Sequence, residues 1–318
     1  MTEEPVDLTV MLYGYPNTSE VFGASWLQNQ WPTVEEQLRW YRPWITQAEK
    51  DLKLLESLLP PSEIIPTYRS GLRDISQFLQ TAYEIHGAAL LASIASEIEL
   101  HVPKGDESNK NFDIRAQIHG VAIQADAKTR DDTNISERFR VQGPYGIAYY
   151  SRDRPTLDPH DAAAHGIPVQ PPTPGRPAQT LPESTTIKNV LLDALSQLPD
   201  NGLNVVLFGH RFGDRDDLDR ALYGPEVCHL IRNHSTKEVT SEWGRFPNGA
   251  FHEGDAGMPF RSLSAVIWMR LMAYDGHLYR GYRLYSNNTA QSPLPQRAAE
   301  ALQRQIDAWM VLPPGSDM

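Results

Sequence analysis

The sequence is poor in cysteine and has no long apolar run. Cys228 is the one cysteine among 318 residues, so the chain can form no internal disulfide, and a reducing compartment such as the cytoplasm fits. No apolar run approaches the roughly 18 residues of a membrane-spanning helix, and the start MTEEPVDLTV lacks the basic region of a secretory signal. We therefore expect a cytoplasmic protein with no membrane partner.

Positive charge is also in short supply. Lysine and arginine together number 29 against 40 aspartates and glutamates, which gives a net charge of −11 at pH 7. This balance excludes a protein whose whole surface attracts nucleic acid. It leaves room for a local basic groove, or for an acidic site that holds a divalent cation.

The periodicity of apolar residues predicts an order of helices and strands. Helical spacing is followed by alternation, then by a helix, a fully apolar strand and further strands, which together predict an α/β fold. The predicted helices cover residues 32–59, about 66–93, 185–198, 214–224 and about 295–310, and the predicted strands cover 97–103, 111–130 as a hairpin, 203–209, 262–273 and 277–288. Residues 152–184 hold eight prolines and few large apolar side chains, so we expect a loop or insertion there.

The stretch NFDIRAQIHGVAIQADAKTR, residues 111–130, predicts a hairpin whose turn is His119-Gly120. Pairing outward from this turn places Asp113 opposite Asp126. One face of the hairpin is then wholly apolar, from Phe112, Ile114, Ala116 and Ile118 to Val121, Ile123, Ala125 and Ala127. The other face carries Asp113, Arg115, Gln117, Ala122, Gln124, Asp126 and Lys128.

Two aspartates on opposed positions repel each other unless a proton or a cation compensates their charge. Their Cβ atoms would be about 5 Å apart. Mg²⁺ takes oxygen ligands and keeps several waters, so two carboxylates suit it. Lys128 shares their face, where an ammonium group would orient or activate a water, or stabilise charge that develops on a phosphate.

An aspartate on one strand and D-x-K on the next, here Asp113 and Asp126-Ala127-Lys128, resemble the PD-(D/E)XK nuclease superfamily. The resemblance implies a restriction-endonuclease-like α/β fold, with a mixed central sheet flanked by helices, over residues 66–318. Within that domain the Pro-rich segment at about 152–184 would be an insertion, and residues 1–65 would be an added N-terminal helical extension. Phe112 departs from the superfamily pattern, which has proline before the first aspartate.

The same resemblance implies a nuclease that uses Mg²⁺ or Mn²⁺ to hydrolyse phosphodiester bonds. Asp113 and Asp126 would bind the metal, and Lys128 would position or activate the attacking water. Glu84, on the preceding helix, would be a further catalytic and metal-binding residue, with Glu97 and Glu99 as rivals for that place. The implied partner is nucleic acid, DNA ahead of RNA, and a homodimer is allowed.

Two other interpretations of these residues stay open. A descendant of the same fold that has lost catalysis would act as a binding or regulatory module, which the acidic net charge favours. Alternatively, Asp113 and Asp126 would form ion pairs with Arg115 and Lys128 on an exposed sheet face. Such surface pairs contribute only about 0–1 kcal/mol.

Overall fold

A six-stranded mixed sheet forms the centre of the chain in a computed structural model. The structure describes residues 14–23, 42–74, 77–105, 110–130, 138–143, 146–151, 183–210, 215–224, 226–232, 239–245, 247–255, 257–274 and 277–312. In the order β1-β2-β3-β6-β9-β10, the sheet strands are β1 (Glu97–Pro103), β2 (Asn111–Ile118), β3 (Val121–Arg130), β6 (Leu203–His210), β9 (Leu263–Tyr274) and β10 (His277–Ser286). Two separate hairpins are formed by β4 (Arg138–Gly143) with β5 (Gly146–Ser151), and by β7 (Glu226–Arg232) with β8 (Val239–Arg245).

Helices cover the sheet. They are α1 (Pro16–Phe22), α2 (42–55), α3 (Pro61–Arg73), α4 (Phe78–Ala92), α5 (Glu183–Gln197), α6 (Arg215–Tyr223) and α7 (Gln296–Trp309), with a 3-10 turn at Met258–Phe260. The predicted mixture of helices and strands around a mixed sheet is thus confirmed. No helix in the described ranges is long and apolar enough to cross a bilayer.

The sheet changes direction at β3. Strands β1, β2 and β3 are antiparallel neighbours, whereas β3, β6 and β9 run parallel, and β10 returns antiparallel to β9. The segment between β3 and β6 contains α5, as a parallel connection requires a crossover. Strand β6 is buried along nearly its whole length, as its continuous apolar sequence predicts for a strand that is covered on both faces.

Two apolar clusters lie on opposite faces of the sheet. One joins helices α1 to α4 and α7 to sheet residues such as Ile123, Ala125 and Leu207. The other joins α5 and α6 to sheet residues such as Val206 and Phe208. Since neighbouring residues of β6 fall in alternate clusters, the strand alternation itself divides the core into two layers.

The hairpin register agrees with the prediction as far as the strands are paired. Ile118 lies opposite Val121, and Arg115 opposite Gln124. His119 and Gly120 have φ values of 50° and 79°, which are the two positive angles of a type I′ turn. Gly120 removes the steric cost of this backbone at the second position.

The prediction of one helix over about 66–93 is wrong. The chain forms α3 and α4 instead, and Asp74, with φ −95° and ψ 114°, takes the backbone out of the helical region after Arg73. Pro61 occupies the first turn of α3, where its missing N–H costs no hydrogen bond. The apolar spacing of the two helices is similar, so periodicity alone did not reveal the break.

The predicted division at residues 65 and 66 stays a prediction. Helix α3 spans this position, and Phe22 and Leu52 share an apolar cluster with Ile85 and Ala125. The N-terminal helices therefore pack on the same core as the hairpin. The Pro-rich segment lies outside the described residues except for Glu183 and Ser184, which begin α5.

Candidate active site

The side chains of strand β2 change faces of the sheet at Asp113. Ile114 packs in the cluster with α4, whereas Phe112, two residues away, packs in the cluster with α5. In a regular strand these two residues would face the same side, so the predicted single apolar face is wrong at Phe112. His101 lies between the paired residues Leu100 and Val102 and is itself unpaired in the β1–β2 register, and its φ of 50° marks the same irregularity.

The pairing of strand β2 with strand β3 also ends next to Asp113. Their paired residues run from the turn to Ile114 and Ala125, so the direct pairing of Asp113 with Asp126 is not formed. Instead, the backbone N–H of Ala127 donates a hydrogen bond to Asp113 Oδ2 at 2.7 Å. The carboxyl group thus takes the place of a ladder partner and is held against β3.

Asp126 carries a strongly perturbed carboxyl group. Its side chain is completely buried and faces the α5 side of the sheet, because Ala125 and Ala127 face the α4 side. Burial and the charge of Asp113 raise the pKa of Asp126 to about 8, although Lys128 opposes this shift. Burial also raises the pKa of Asp113, against the hydrogen bond from Ala127 and the charge of Lys128. The structure therefore brings the two predicted carboxylates into direct electrostatic interaction.

Lys128 places its ammonium group next to Asp126. The Nζ–Oδ2 distance is 3.0 Å, and the Lys128 side chain is 16% exposed. Burial lowers the pKa of Lys128, but Asp126 and the other carboxylates nearby outweigh burial and raise it. Lys128 is consequently a cation at neutral pH.

Helix α5 supplies two further contacts to this ammonium group. Asp193 Oδ2 lies 3.5 Å from Lys128 Nζ, on a side chain that is 66% exposed. The Gln197 amide oxygen lies 2.6 Å from Lys128 Nζ, and its nitrogen 3.3 Å from Asp126 Oδ1, in the amide orientation that makes both contacts hydrogen bonds. Asp193 and Gln197 are four residues apart and so share one face of the helix.

Glu84 approaches the site from α4. Gln80 donates a hydrogen bond to Glu84 Oε1 at 3.1 Å. Burial and then the charge of Asp113 raise the pKa of Glu84 to about 7. The rivals do not reach this place: Glu97 and Glu99 are exposed, and Glu99 forms an ion pair with Arg115 at 3.1 Å.

The alternative of simple ion pairs on an exposed face is wrong in its geometry. Lys128 does contact Asp126, but Asp126 is completely buried rather than exposed. Arg115 makes its ion pair with Glu99 and not with Asp113. The site is therefore a buried charge cluster, in which each electrostatic interaction is stronger than it would be in water.

Sequence reasoning missed four residues that surround the predicted set: Tyr68, His101, Asp193 and Gln197. The Tyr68 side chain is buried on α3, and burial followed by the charges of Glu84 and Asp113 raises its pKa. His101 is exposed at the edge strand, and its charge favours the ionised form of Asp113. The register of β1 would have located His101, but no local pattern identifies which face of α3 or α5 meets the hairpin.

The donor set partly suits a divalent cation. Asp126 Oδ2 is buried and lies 3.0 Å from Lys128 Nζ, and the ammonium group donates a hydrogen bond to the Asp126 carboxyl group. Two neighbouring carboxylates with raised pKa values are a set that a cation would relieve. In the described part of the chain, however, no group of three or more histidine, cysteine, aspartate or glutamate side chains is arranged to hold a metal ion.

No protein-family model, curated protein or solved structure matches this chain. The functional conclusion therefore depends on the side chains of the site.

Proposed function

We propose that the protein is a metal-dependent nuclease that hydrolyses phosphodiester bonds, in DNA ahead of RNA, on a restriction-endonuclease-like fold. The proposal depends on one observation: Asp113, Asp126 and Lys128 lie close together at the point where the pairing of β2 with β3 ends. Burial, followed by the charge of Asp113, raises the pKa of Asp126 and opposes folding, so a site with no chemical role would gain stability by losing this carboxyl group. The order hairpin, helix α5 and parallel strand β6 also agrees with the proposed fold.

Asp113 and Asp126 would hold the Mg²⁺ or Mn²⁺ ion, with Glu84 beside them. When bound, such an ion neutralises the carboxylates, lowers the pKa of a coordinated water and polarises a phosphate oxygen. Glu84 is the weaker candidate for a ligand, because it forms no three-residue metal cluster with the two aspartates in the described part of the chain.

Lys128 would act through its charge rather than as a base. Its raised pKa keeps the ammonium group protonated, so it can donate hydrogen bonds to a water or a phosphate oxygen but cannot accept a proton at neutral pH. Glu84, with its pKa raised to about 7, is better suited to accept the proton of an attacking water. These pKa values favour a division of the two roles that the sequence pattern assigned to Lys128: Lys128 would position the water, and Glu84 would accept its proton.

A non-catalytic binding or regulatory module is the second candidate. The contact between Lys128 and Asp126 favours it, because the ammonium already occupies a carboxyl oxygen that a cation would need. The net charge of −11 also disfavours broad contact with nucleic acid.

Cleavage assays with Mg²⁺ and Mn²⁺ on plasmid, linear and single-stranded DNA and on RNA test the proposal. We expect the purified protein to cut at least one substrate, and Lys128→Ala to lower the rate about 100-fold or more by removing a positive charge at the phosphate. Asp126→Ala is expected to lose both cleavage and the cation-binding isotherm.

The matched control is Lys53→Ala, which removes an exposed lysine of α2 and leaves the site intact. It should cut like the wild type. Cation binding without cleavage of any substrate would favour the binding module, and cleavage that survives Lys128→Ala would exclude the proposed site.

A further inference from the structure

We infer that Asp193 and Gln197 form a second resting place for the Lys128 ammonium group, which moves there when a divalent cation binds at Asp113 and Asp126. Asp193 is thus a positioning residue that acts on the cation only through Lys128. This inference rests on the proposed cation site. It adds that the Lys128 ammonium group leaves the Asp126 carboxylate when the cation binds there.

The geometry around Lys128 Nζ gives the ammonium group two sets of partners. One set is Asp126 Oδ2 at 3.0 Å, and the other is Asp193 Oδ2 at 3.5 Å with the Gln197 amide oxygen at 2.6 Å. Asp126 is completely buried in the sheet, whereas Asp193 lies on α5 with 66% of its side chain exposed. A small movement of the ammonium would therefore exchange a buried carboxylate for an exposed one.

Charge explains why the movement should accompany cation binding. An ammonium 3.0 Å from Asp126 already occupies a carboxylate oxygen that a cation would need. A dication at Asp126 would repel the ammonium, since two positive charges this close are strongly unfavourable in a poorly hydrated site. Asp193 and Gln197 offer it a carboxylate and an amide oxygen, so that Lys128 stays beside the site without competing for it.

Asp193 meets the site through Lys128. Its Oδ2 atom lies 3.5 Å from Lys128 Nζ, and its charge contributes to the raised pKa of Lys128. In the proposed cation site the main ligands are Asp113 and Asp126, so Asp193 would affect a cation through the position of the ammonium group.

A double-mutant cycle on Mn²⁺ affinity tests the inference without a cleavage readout. Calorimetry would give the Mn²⁺ dissociation constants of the wild type, Asp193→Asn, Lys128→Met and the double variant. We expect Asp193→Asn to weaken Mn²⁺ binding on the order of threefold to tenfold, because the displaced ammonium loses its anionic partner. Lys128→Met should tighten binding, and in its background Asp193→Asn should have no effect.

Asp200→Asn is the matched control, since it removes another negative charge close to the end of α5 on a side chain that is 94% exposed. The change in its Mn²⁺ dissociation constant measures the effect of removing a nearby negative charge that does not contact Lys128. Equal weakening by Asp193→Asn with and without Lys128, or no weakening in either background, would overturn the inference while leaving the cation site in place. Absence of any Mn²⁺ binding that depends on Asp126 would overturn the proposed function together with the inference.

Discussion

A single residue, Asp126, destabilises the folded state that buries it. Its pKa rises from an ordinary value of 3.8 to about 8 because the carboxylate is buried next to Asp113. The folded protein therefore retains a proton that the unfolded chain releases between these two values. The contribution of Asp126 to the free energy of unfolding is most favourable at low pH and falls as the pH rises toward about 8.

Replacing Asp126 by asparagine should remove this pH dependence. We expect Asp126→Asn to raise the melting temperature relative to the wild type at about pH 8, by on the order of 2–5 °C, and to differ little from it at about pH 4. The neutral amide keeps the shape of the side chain but does not repel Asp113. Thermal unfolding without divalent cations, followed by circular dichroism across this pH range, measures the difference.

Asp255→Asn serves as the control for this experiment, because Asp255 is exposed and lies far from the site in sequence. Its melting temperature should follow the wild type at every pH. Mn²⁺ at about pH 8 should stabilise the wild type and not Asp126→Asn, since ligand binding adds to the stability of the folded state alone. An identical pH profile for wild type and Asp126→Asn would contradict the raised pKa.

At the scale of elements, the position of α4 depends on a glycine in β6. A Cβ atom on Gly209 would lie 2.7 Å from Tyr83 Cδ1 and 3.0 Å from Thr129 Cγ2. Tyr83 is buried, and its hydroxyl accepts a hydrogen bond from the Leu271 N–H at 3.0 Å. Gly209 thus admits the aromatic ring that docks α4 on the sheet, one residue from Glu84.

Gly209→Ala should destabilise the protein by about 1–3 kcal/mol, because the added methyl group forces the Tyr83 ring away from the sheet. Urea denaturation measures the change in the free energy of unfolding. The penalty should shrink when the same substitution is made in a Tyr83→Leu background, where no ring edge opposes the methyl group. An equal penalty in both backgrounds would show that the Tyr83 contact does not limit the approach of α4.

At the scale of the whole molecule, a buried polar chain links three distant segments. His86 Nδ1 lies 2.7 Å from Asp51 Oδ2, and His86 Nε2 lies 2.5 Å from the Tyr282 hydroxyl. Gln47 donates to Asp51 Oδ1 at 2.8 Å. With a proton on Nδ1, His86 donates to Asp51 and accepts from the Tyr282 hydroxyl through Nε2, so these hydrogen bonds connect α2 to α4 and β10.

Loss of Asp51 should lower the free energy of unfolding more than loss of the Tyr282 hydroxyl. We expect Asp51→Ala to cost about 2–4 kcal/mol, because it leaves two buried donors, on His86 and Gln47, without their acceptor. Tyr282→Phe removes one hydroxyl and should cost about 1 kcal/mol. Chemical denaturation of the two variants measures both values, and equal costs would argue against Asp51 as the centre of the network.

Much of the local architecture was predictable. The alternation of residues 111–130 and the His119-Gly120 turn predicted the hairpin register from the turn to Ile114 and Ala125, and the apolar run 203–209 predicted the buried central strand. Both succeed because side chains of a strand alternate and a tight turn fixes which residues meet. The break between α3 and α4 was missed, because two successive amphipathic helices have the same periodicity as one.

The sequence by itself determined that Asp113, Asp126 and Lys128 lie on one hairpin, since that depends only on residues within 20 positions of each other. The tertiary structure alone decided that the side chains of β2 change faces of the sheet at Asp113 and that α5 brings Asp193 and Gln197 to Lys128. It also decided that His86 contacts Asp51 and Tyr282, which are 35 and 196 positions away in the sequence. The physical reason is that periodicity specifies which side chains share a face of one element. Which faces meet is fixed only when the helices pack across the sheet and bury their charges together.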